Sequence, residues 1–147
     1  MTLPRSILEL AWAFHRLLFR MTGGRVGTER TREGHLGTLF LTTIGRTSGK
    51  PRGTAVFYLE DAGSLVVVAS NAGSDRDPAW WGNLQADPRA IVDLAGEQVA
   101  VRARRASADE ADRLWPRFIA ANPNFAAYRE RANRDVALVV LEVTEPG

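Results

Sequence analysis

Leu36 to Leu59 reads LGTLFLTTIGRTSGKPRGTAVFYL. Two apolar, β-prone runs, Leu36–Thr43 and Thr54–Leu59, flank a loop of glycine, hydroxyls and cations, which is the pattern of a β-hairpin. Its tip has the composition of a phosphate loop without the spacing. That motif needs four residues between its glycines and Ser or Thr after the lysine. Here three residues separate Gly45 from Gly49, and Pro51 follows Lys50. A nucleotide triphosphatase is therefore excluded, while the chemistry of an anion cradle stays. Arg46, Lys50 and Arg52 supply charge, Thr47 and Ser48 supply hydroxyls, and Gly49 permits a tight turn. The bland alternative is a solvated tip whose Gly and Pro merely make the turn.

Working outward, Glu60 to Gly63 forms a turn into Leu65–Ala69, a short apolar run that reads as a buried strand. Asp77-Pro78 predicts a helix start, with Asp77 as N-cap and Pro78 at the first helical position. Pro88 stops that helix near Ala86. Ala90–Leu94 and Glu97–Arg105 make a second hairpin around Ala95-Gly96. Val99, Val101 and Ala103 point inward there, and Arg102, Arg104 and Arg105 belong to a wet face. Ser107 to Glu110 is a capping box opening a helix that buries Leu114, Trp115, Phe118 and Ile119, with a bend expected at Pro116. Asn122-Pro123 breaks it; a short helix over Phe125–Arg131 and a strand over Val136–Val143 complete the chain. Hairpins with inserted helices predict an antiparallel α+β fold, a barrel with packed helices. The strand-GxGxxG-helix unit of a Rossmann sheet is missing.

The N-terminal stretch is amphipathic at helical spacing. Arg5, Glu9, Arg16 and Arg20 share one stripe, and Ile7, Leu10, Phe14, Leu17, Leu18 and Met21 cover the opposite side. Its charges interrupt any membrane span, and Glu9 falls where a signal peptide needs apolar residues. Two readings stay open for residues 3–21: packing on the body of the domain, or peripheral contact with a membrane surface. That helix should end near Thr22-Gly23-Gly24. The 147 residues are expected to form one domain, residues 1–34 being helix and loop and 35–147 the core, in a cytoplasmic protein.

The net charge of +2 argues against a nucleic-acid binder, but the cations are clustered. Arg25, Arg30, Arg32, Arg46, Lys50 and Arg52 face only Glu29 and Glu33 in the same stretch, pointing to a local anionic ligand. The absence of cysteine removes disulfides, thiolate catalysis and thiolate metal sites. His15 and His35 have no ligand spacing, so no metal is expected, and no GxSxG elbow is present.

Three segments, TTIGRTSGKPRGTAVFYL, VVVASNAGSDRDPAWWGNLQADP and ADRLWPRFIAANPNFAAYRERANRDVALVVLE, together resemble the deazaflavin-dependent nitroreductase and quinone reductase family. The resemblance runs from Leu39 to Glu142. It implies a split β-barrel like that of FMN-binding proteins, with coenzyme F-420, a deazaflavin, in a groove. It also implies hydride transfer from the reduced coenzyme to quinones, nitro compounds or similar activated acceptors. The coenzyme's phosphate and oligoglutamate tail make it a polyanion, which suits the cationic hairpin.

Carried over by position, the coenzyme contacts fall on Arg46, Thr47, Ser48, Gly49 and Lys50, then on Arg52, Gly53, Thr54, Ala55, Val56 and Phe57 along the next strand. They continue on Val68, Ala69, Ser70 and Asn71, and on Ala79, Trp80, Trp81, Gly82 and Asn83 of the following helix. Phe125 closes over the ring. Tyr128 is carried over as a proton donor or substrate orienter and Ser70 as a hydrogen-bonding group near the reacting ring. Micromolar binding needs about 8 kcal/mol, and an exposed ion pair supplies roughly 0.2–1 kcal/mol. Ring contact from Trp80, Trp81 or Phe57, at about 1–3 kcal/mol per ring, must add to the charges. One of the two tryptophans is expected in the core.

The chain departs from the family pattern at Thr47, where many relatives carry lysine, and at Asn71-Ala72-Gly73, which replaces a glycine pair. Asn122 and Phe125 stand where nitroreductases have tyrosines, which argues against bulky nitroimidazoles as substrates. Two other classes remain: an FMN oxidoreductase on a similar barrel, and a non-enzymatic carrier of deazaflavin, haem or lipid. No protein partner is evident from the residues.

Overall fold

The computed structural model describes Thr31 and residues 35–144. The amphipathic segment over residues 3–21, His15, and the cations Arg25, Arg30 and Arg32 lie outside the described residues. Six strands form a closed barrel: β1 (Gly37–Ile44), β2 (Pro51–Asp61), β3 (Ser64–Val68), β4 (Arg89–Leu94), β5 (Glu97–Arg105) and β6 (Leu138–Val143). Their order around the barrel is β1-β2-β3-β6-β5-β4, and every pair is antiparallel. Together with the helices this is the α+β split-barrel architecture expected.

Tight turns set the local pairings. Ala62-Gly63 and Ala95-Gly96 are two-residue loops with φ of 49° and 83°, and 50° and 87°. Left-handed pairs of this kind match the twist of the strands they join. Closure is non-local: Phe40, Leu41 and Thr42 pair with Asp93, Val92 and Ile91. The barrel interior holds Leu39, Leu41, Tyr58, Val67, Val92, Val101, Val139 and Leu141. A second apolar layer lies outside β3 and β6, where Val66, Val68, Leu138 and Val140 meet Leu114, Trp115, Phe118 and Phe125. Burial on both faces explains why these two strands read as unbroken apolar runs.

Three helices complete the described chain: α1 (Ala79–Ala86), α2 (Ala108–Ala121) and α3 (Asn124–Arg131), with one 3₁₀ turn over Asn71–Gly73. The capping box is present. Ser107 Oγ accepts from the Glu110 N–H at 3.2 Å, and Glu110 Oε1 accepts from the Ser107 N–H at 2.9 Å. The Arg104 guanidinium, bonded to both Glu110 oxygens, is the main cause of a Glu110 pKa pushed down to about 2. Pro116 is exposed and sits inside α2, which runs from Ala108 to Ala121 without ending at it. Ile119 is half-buried against the outer layer.

Several boundaries differ from expectation. β2 begins at Pro51, not Thr54, because the ladder continues through Thr42↔Gly53, Thr43↔Arg52 and Ile44↔Pro51. Asp77 does not cap α1. Pro78 occupies the cap position without a side-chain bond, and Asp77 instead accepts from Arg134 Nη1 at 2.8 Å. β6 begins two residues later than Val136, although Val136 and Ala137 are buried. Among the described residues, no helix is long and apolar enough to cross a membrane.

Candidate active-site groove

A groove of about 750 Å3 opens on the barrel wall between the β1–β2 loop, the first half of β2, the exit of β3 and the start of α1. That volume lies within the roughly 300–1,000 Å3 usual for cofactor sites. The β1–β2 loop is folded on itself. The Gly45 N–H donates to the Lys50 carbonyl at 2.8 Å, and the Gly49 N–H to the Gly45 carbonyl at 2.8 Å. Gly49 takes φ +70°, a value that favours glycine. Gly53 is needed for another reason: a Cβ there would stand 2.4 Å from Phe40 Cζ, because that ring lies across β2.

Arg46 is a clamp as well as a charge. Its Nη1 donates to the Ala79 carbonyl at 3.0 Å and to Asn83 Oδ1 at 2.9 Å. The same Asn83 oxygen accepts from the Arg46 backbone N–H at 3.1 Å, and Asn83 Nδ2 donates to Thr43 Oγ1 at 3.1 Å. Asn83 is buried, so one amide ties the end of β1, the loop and α1 together. Gly82 leaves room for the guanidinium, whose Nη1 would lie 2.8 Å from any Cβ at that position. Arg52 Nη2 reaches Ser48 Oγ at 3.5 Å. Among the described residues no carboxylate pairs with Arg46, Lys50 or Arg52. The groove wall carries Arg46 and Arg52 and no Asp or Glu. Its field therefore favours an anion.

The structure brings most of the expected residues together. Arg46, Thr47 and Ser48, the run from Arg52 to Phe57, Val68, Ser70, Asn71, Ala79, Trp80, Asn83 and Phe125 all line the groove. Phe57 is 51% exposed and lies on the groove wall, so its ring face is open to a ligand there. Trp80 is half-buried on the wall, and its neighbour Trp81, 6% exposed, belongs to the barrel core. Adjacent helix positions lie about 100° apart, so the two rings take different roles.

Other expected residues are not on the wall. Gly49 and Lys50 belong to the loop behind it, Ala69 is fully buried, and Gly82 faces Arg46. Tyr128, carried over as a proton donor, packs edge-on against Phe125 with ring centres 6.0 Å apart and joins the outer apolar layer. Asn122 is also off the wall; its Oδ1 accepts from the Asn124 N–H at 3.1 Å.

Gly45, Ala72 and Pro78 line the groove without having been expected there. A cue for Ala72 lay in the Asn-Ala-Gly stretch. Asn71, Ala72 and Gly73 have φ of 44°, 53° and 81°, a left-handed run that turns the chain sharply at the β3 exit. Such a conformation costs about 1–2 kcal/mol at alanine. The wall chemistry, two arginines and the Thr47 and Ser48 hydroxyls together with Trp80, Phe57 and Phe125, fits a flat-ringed polyanion.

Comparison with known proteins agrees. A family model described as F-420H(2)-dependent quinone reductase matches residues 13–143. An F-420H(2)-dependent quinone reductase of Mycobacterium tuberculosis is 32% identical over 130 residues, covering 86% of each chain. A solved F-420-H2-dependent reductase superimposes with a TM-score of 0.65 at 27% identity, over 71% of this chain and 93% of that one. HutZ, a haem storage protein of Vibrio cholerae, shares only the fold, with a TM-score of 0.52 at 15% identity over 74% of this chain and 82% of that one. Fold alone does not choose the ligand; the family match extends over most of the chain. The chain belongs to the F-420H(2)-dependent quinone reductase family, an oxidoreductase family whose cofactor is coenzyme F-420.

Proposed function

We propose that this groove binds coenzyme F-420 and that the protein passes its reducing equivalents to a quinone, with less activated nitro compounds as poorer acceptors. The observation that carries this reading is a wall with two arginines, no carboxylate and an exposed aromatic ring. Arg46 and Arg52, with Thr47 and Ser48, would hold the anionic end. Trp80, Phe57 and Phe125 would hold the ring, and Ser70 would hydrogen-bond at its polar edge. When bound, the reduced coenzyme supplies a hydride. The chain contributes binding, orientation and exclusion of water. Tyr128 is read as support for the Phe125 ring.

Phe125, on the groove wall, offers no hydroxyl to a bulky nitroimidazole, which favours quinones among the acceptors. The test mixes purified protein with reduced coenzyme F-420 and menadione and follows return of the oxidised chromophore; a nitroimidazole replaces menadione in a parallel run. Turnover with menadione and little with the nitroimidazole is expected. Binding without turnover on any quinone would make the protein a carrier, and absence of binding would remove the deazaflavin reading.

A further inference from the structure

We propose that Arg134 is a positioning residue for the coenzyme reaction, holding the Ala69–Asp77 segment in the shape that puts Ser70, Asn71 and Ala72 on the groove wall. The inference rests on the reading that the groove binds the coenzyme. Arg134 is not on the wall itself. It lies in the connection between α3 and β6, with its side chain 13% exposed. Every hydrogen bond described for its guanidinium goes to that one segment. Nη2 donates to the Ala69 carbonyl at 3.1 Å and the Ser70 carbonyl at 3.0 Å. Nε donates to the Ser74 carbonyl at 3.0 Å and Nη1 to Asp77 Oδ1 at 2.8 Å.

The segment needs such a hold. Asn71 and Ala72 are left-handed without being glycine, a conformation that persists only where surroundings over-determine it. Its internal support is the turn formed by the Gly73 N–H to the Ser70 carbonyl at 2.9 Å and the Ser74 N–H to the Asn71 carbonyl at 3.0 Å, with Asn71 Nδ2 donating to the Arg76 carbonyl at 3.1 Å and the Arg76 N–H to Ser74 Oγ at 3.2 Å. Arg134 grips both ends of that turn, through Ser70 and Ser74, and so fixes its span. A planar fork of five donors does this from one side chain; the point charge of lysine does not reach separate acceptors in fixed directions. A neighbouring tie reinforces it, the Asn133 N–H donating to Asp75 Oδ1 at 3.1 Å. Gly73 also lets the turn press on α3, since a Cβ there would meet the Tyr128 backbone at 3.2 Å. Phe125 stands on the same helix, so Arg134 keeps Ser70 and the Phe125 ring in register across the groove.

The experiment compares wild type with Arg134→Ala, Arg134→Lys and Asp77→Asn in the full chain. Amide hydrogen exchange without ligand, coenzyme F-420 affinity by calorimetry and the KM–kcat split with menadione are read for each. Arg134→Ala is expected to speed exchange at Gly73 and Ser74, with Val92 and Val101 unchanged. It is also expected to weaken coenzyme binding about 10- to 100-fold, the size seen when a partner that orients ligand-contacting groups is removed. Arg134→Lys should recover cooperative unfolding while leaving most of the affinity loss, and Asp77→Asn should be intermediate. If Arg134→Ala does not fold, the other two variants carry the same comparison. Wild-type affinity in a folded variant whose Gly73 and Ser74 exchange faster would overturn the inference, as would lost affinity with exchange unchanged. Failure of wild type to bind the coenzyme is visible first, and it removes the groove reading together with this one.

Discussion

Asn83 offers the sharpest test of how the cationic loop works, because one buried amide serves both fold and charge. Replacing it with alanine removes the acceptor for the Arg46 backbone N–H and Nη1, at 3.1 and 2.9 Å, and the donor to Thr43 Oγ1 at 3.1 Å. Thr43 is fully buried, and the Arg46 N–H is partly so. Each polar group left without a partner costs about 1–3 kcal/mol, which makes about 2–6 kcal/mol for the pair. At roughly 3–4 °C per kcal/mol for a chain of this size, Tm falls by about 6–24 °C. Asn83→Asp is the informative companion. Its carboxylate keeps both bonds from Arg46, and the Thr43 hydroxyl donates to the second oxygen, so the buried charge is paired and its desolvation cost is offset by Arg46. It nevertheless neutralises Arg46. Loss of one charge-assisted contact to the ligand's anionic end is worth about 1.5–3 kcal/mol, a rise in Kd of about 10- to 100-fold. Differential scanning fluorimetry and coenzyme calorimetry at low and high salt separate the two effects. Wild-type affinity in Asn83→Asp would show that the Arg46 charge does not meet the ligand, and an unchanged Tm in Asn83→Ala would show that the amide clamp does not hold the loop.

The two tryptophans should divide cleanly: Trp81→Ala, at a core position, lowers unfolding free energy by about 3–5 kcal/mol, while Trp80→Ala mainly weakens coenzyme binding, by about 1–3 kcal/mol. Denaturant titration paired with calorimetry checks both, and the reverse assignment would refute the orientation of α1. Gly53→Ala places a methyl group against the Phe40 ring and should cost about 1–3 kcal/mol in urea unfolding; no loss would mean that the ring does not lie across β2. Glu110 has a folded pKa of about 2, below its usual 4.5, chiefly through Arg104. Its contribution is complete above pH 4.5 and is lost as pH falls towards 2. Glu110→Gln should therefore flatten the acid limb of a stability–pH curve in that window. An unchanged limb would remove Glu110 from the cause of acid lability.

Much of the barrel was legible because its determinants are local. Alternation at Val99, Val101 and Ala103 marked the buried face of β5, although Val99 is only partly buried. The apolar run at Leu65 marked a strand covered on both sides, and Ser107 with Glu110 marked the start of α2. The groove was legible in outline because the resemblance of its three segments to the family carried Arg46, Ser48, Phe57 and Trp80 over by position, and all four line it. Asp77 misled because Asp-Pro is a good helix start by itself, and nothing near it in the chain announces that Arg134, 57 residues away, takes its carboxylate. Tyr128 is not among the groove-lining residues, and its edge-on packing against Phe125 could not be read from its neighbours in the chain.

The order of residues alone determined two hairpins, a capped helix, the lack of any thiol chemistry and a cationic tip, since each depends on neighbours a few positions apart. Tertiary structure decided that β1 closes on β4, that Trp81 goes inward while Trp80 stays at the groove, and that Arg46 and Arg134 act as clamps. Those outcomes join partners tens of residues apart. A side chain's periodicity states that it has a buried or an exposed face, but what it meets there is set by which distant strand or loop the closed barrel brings alongside.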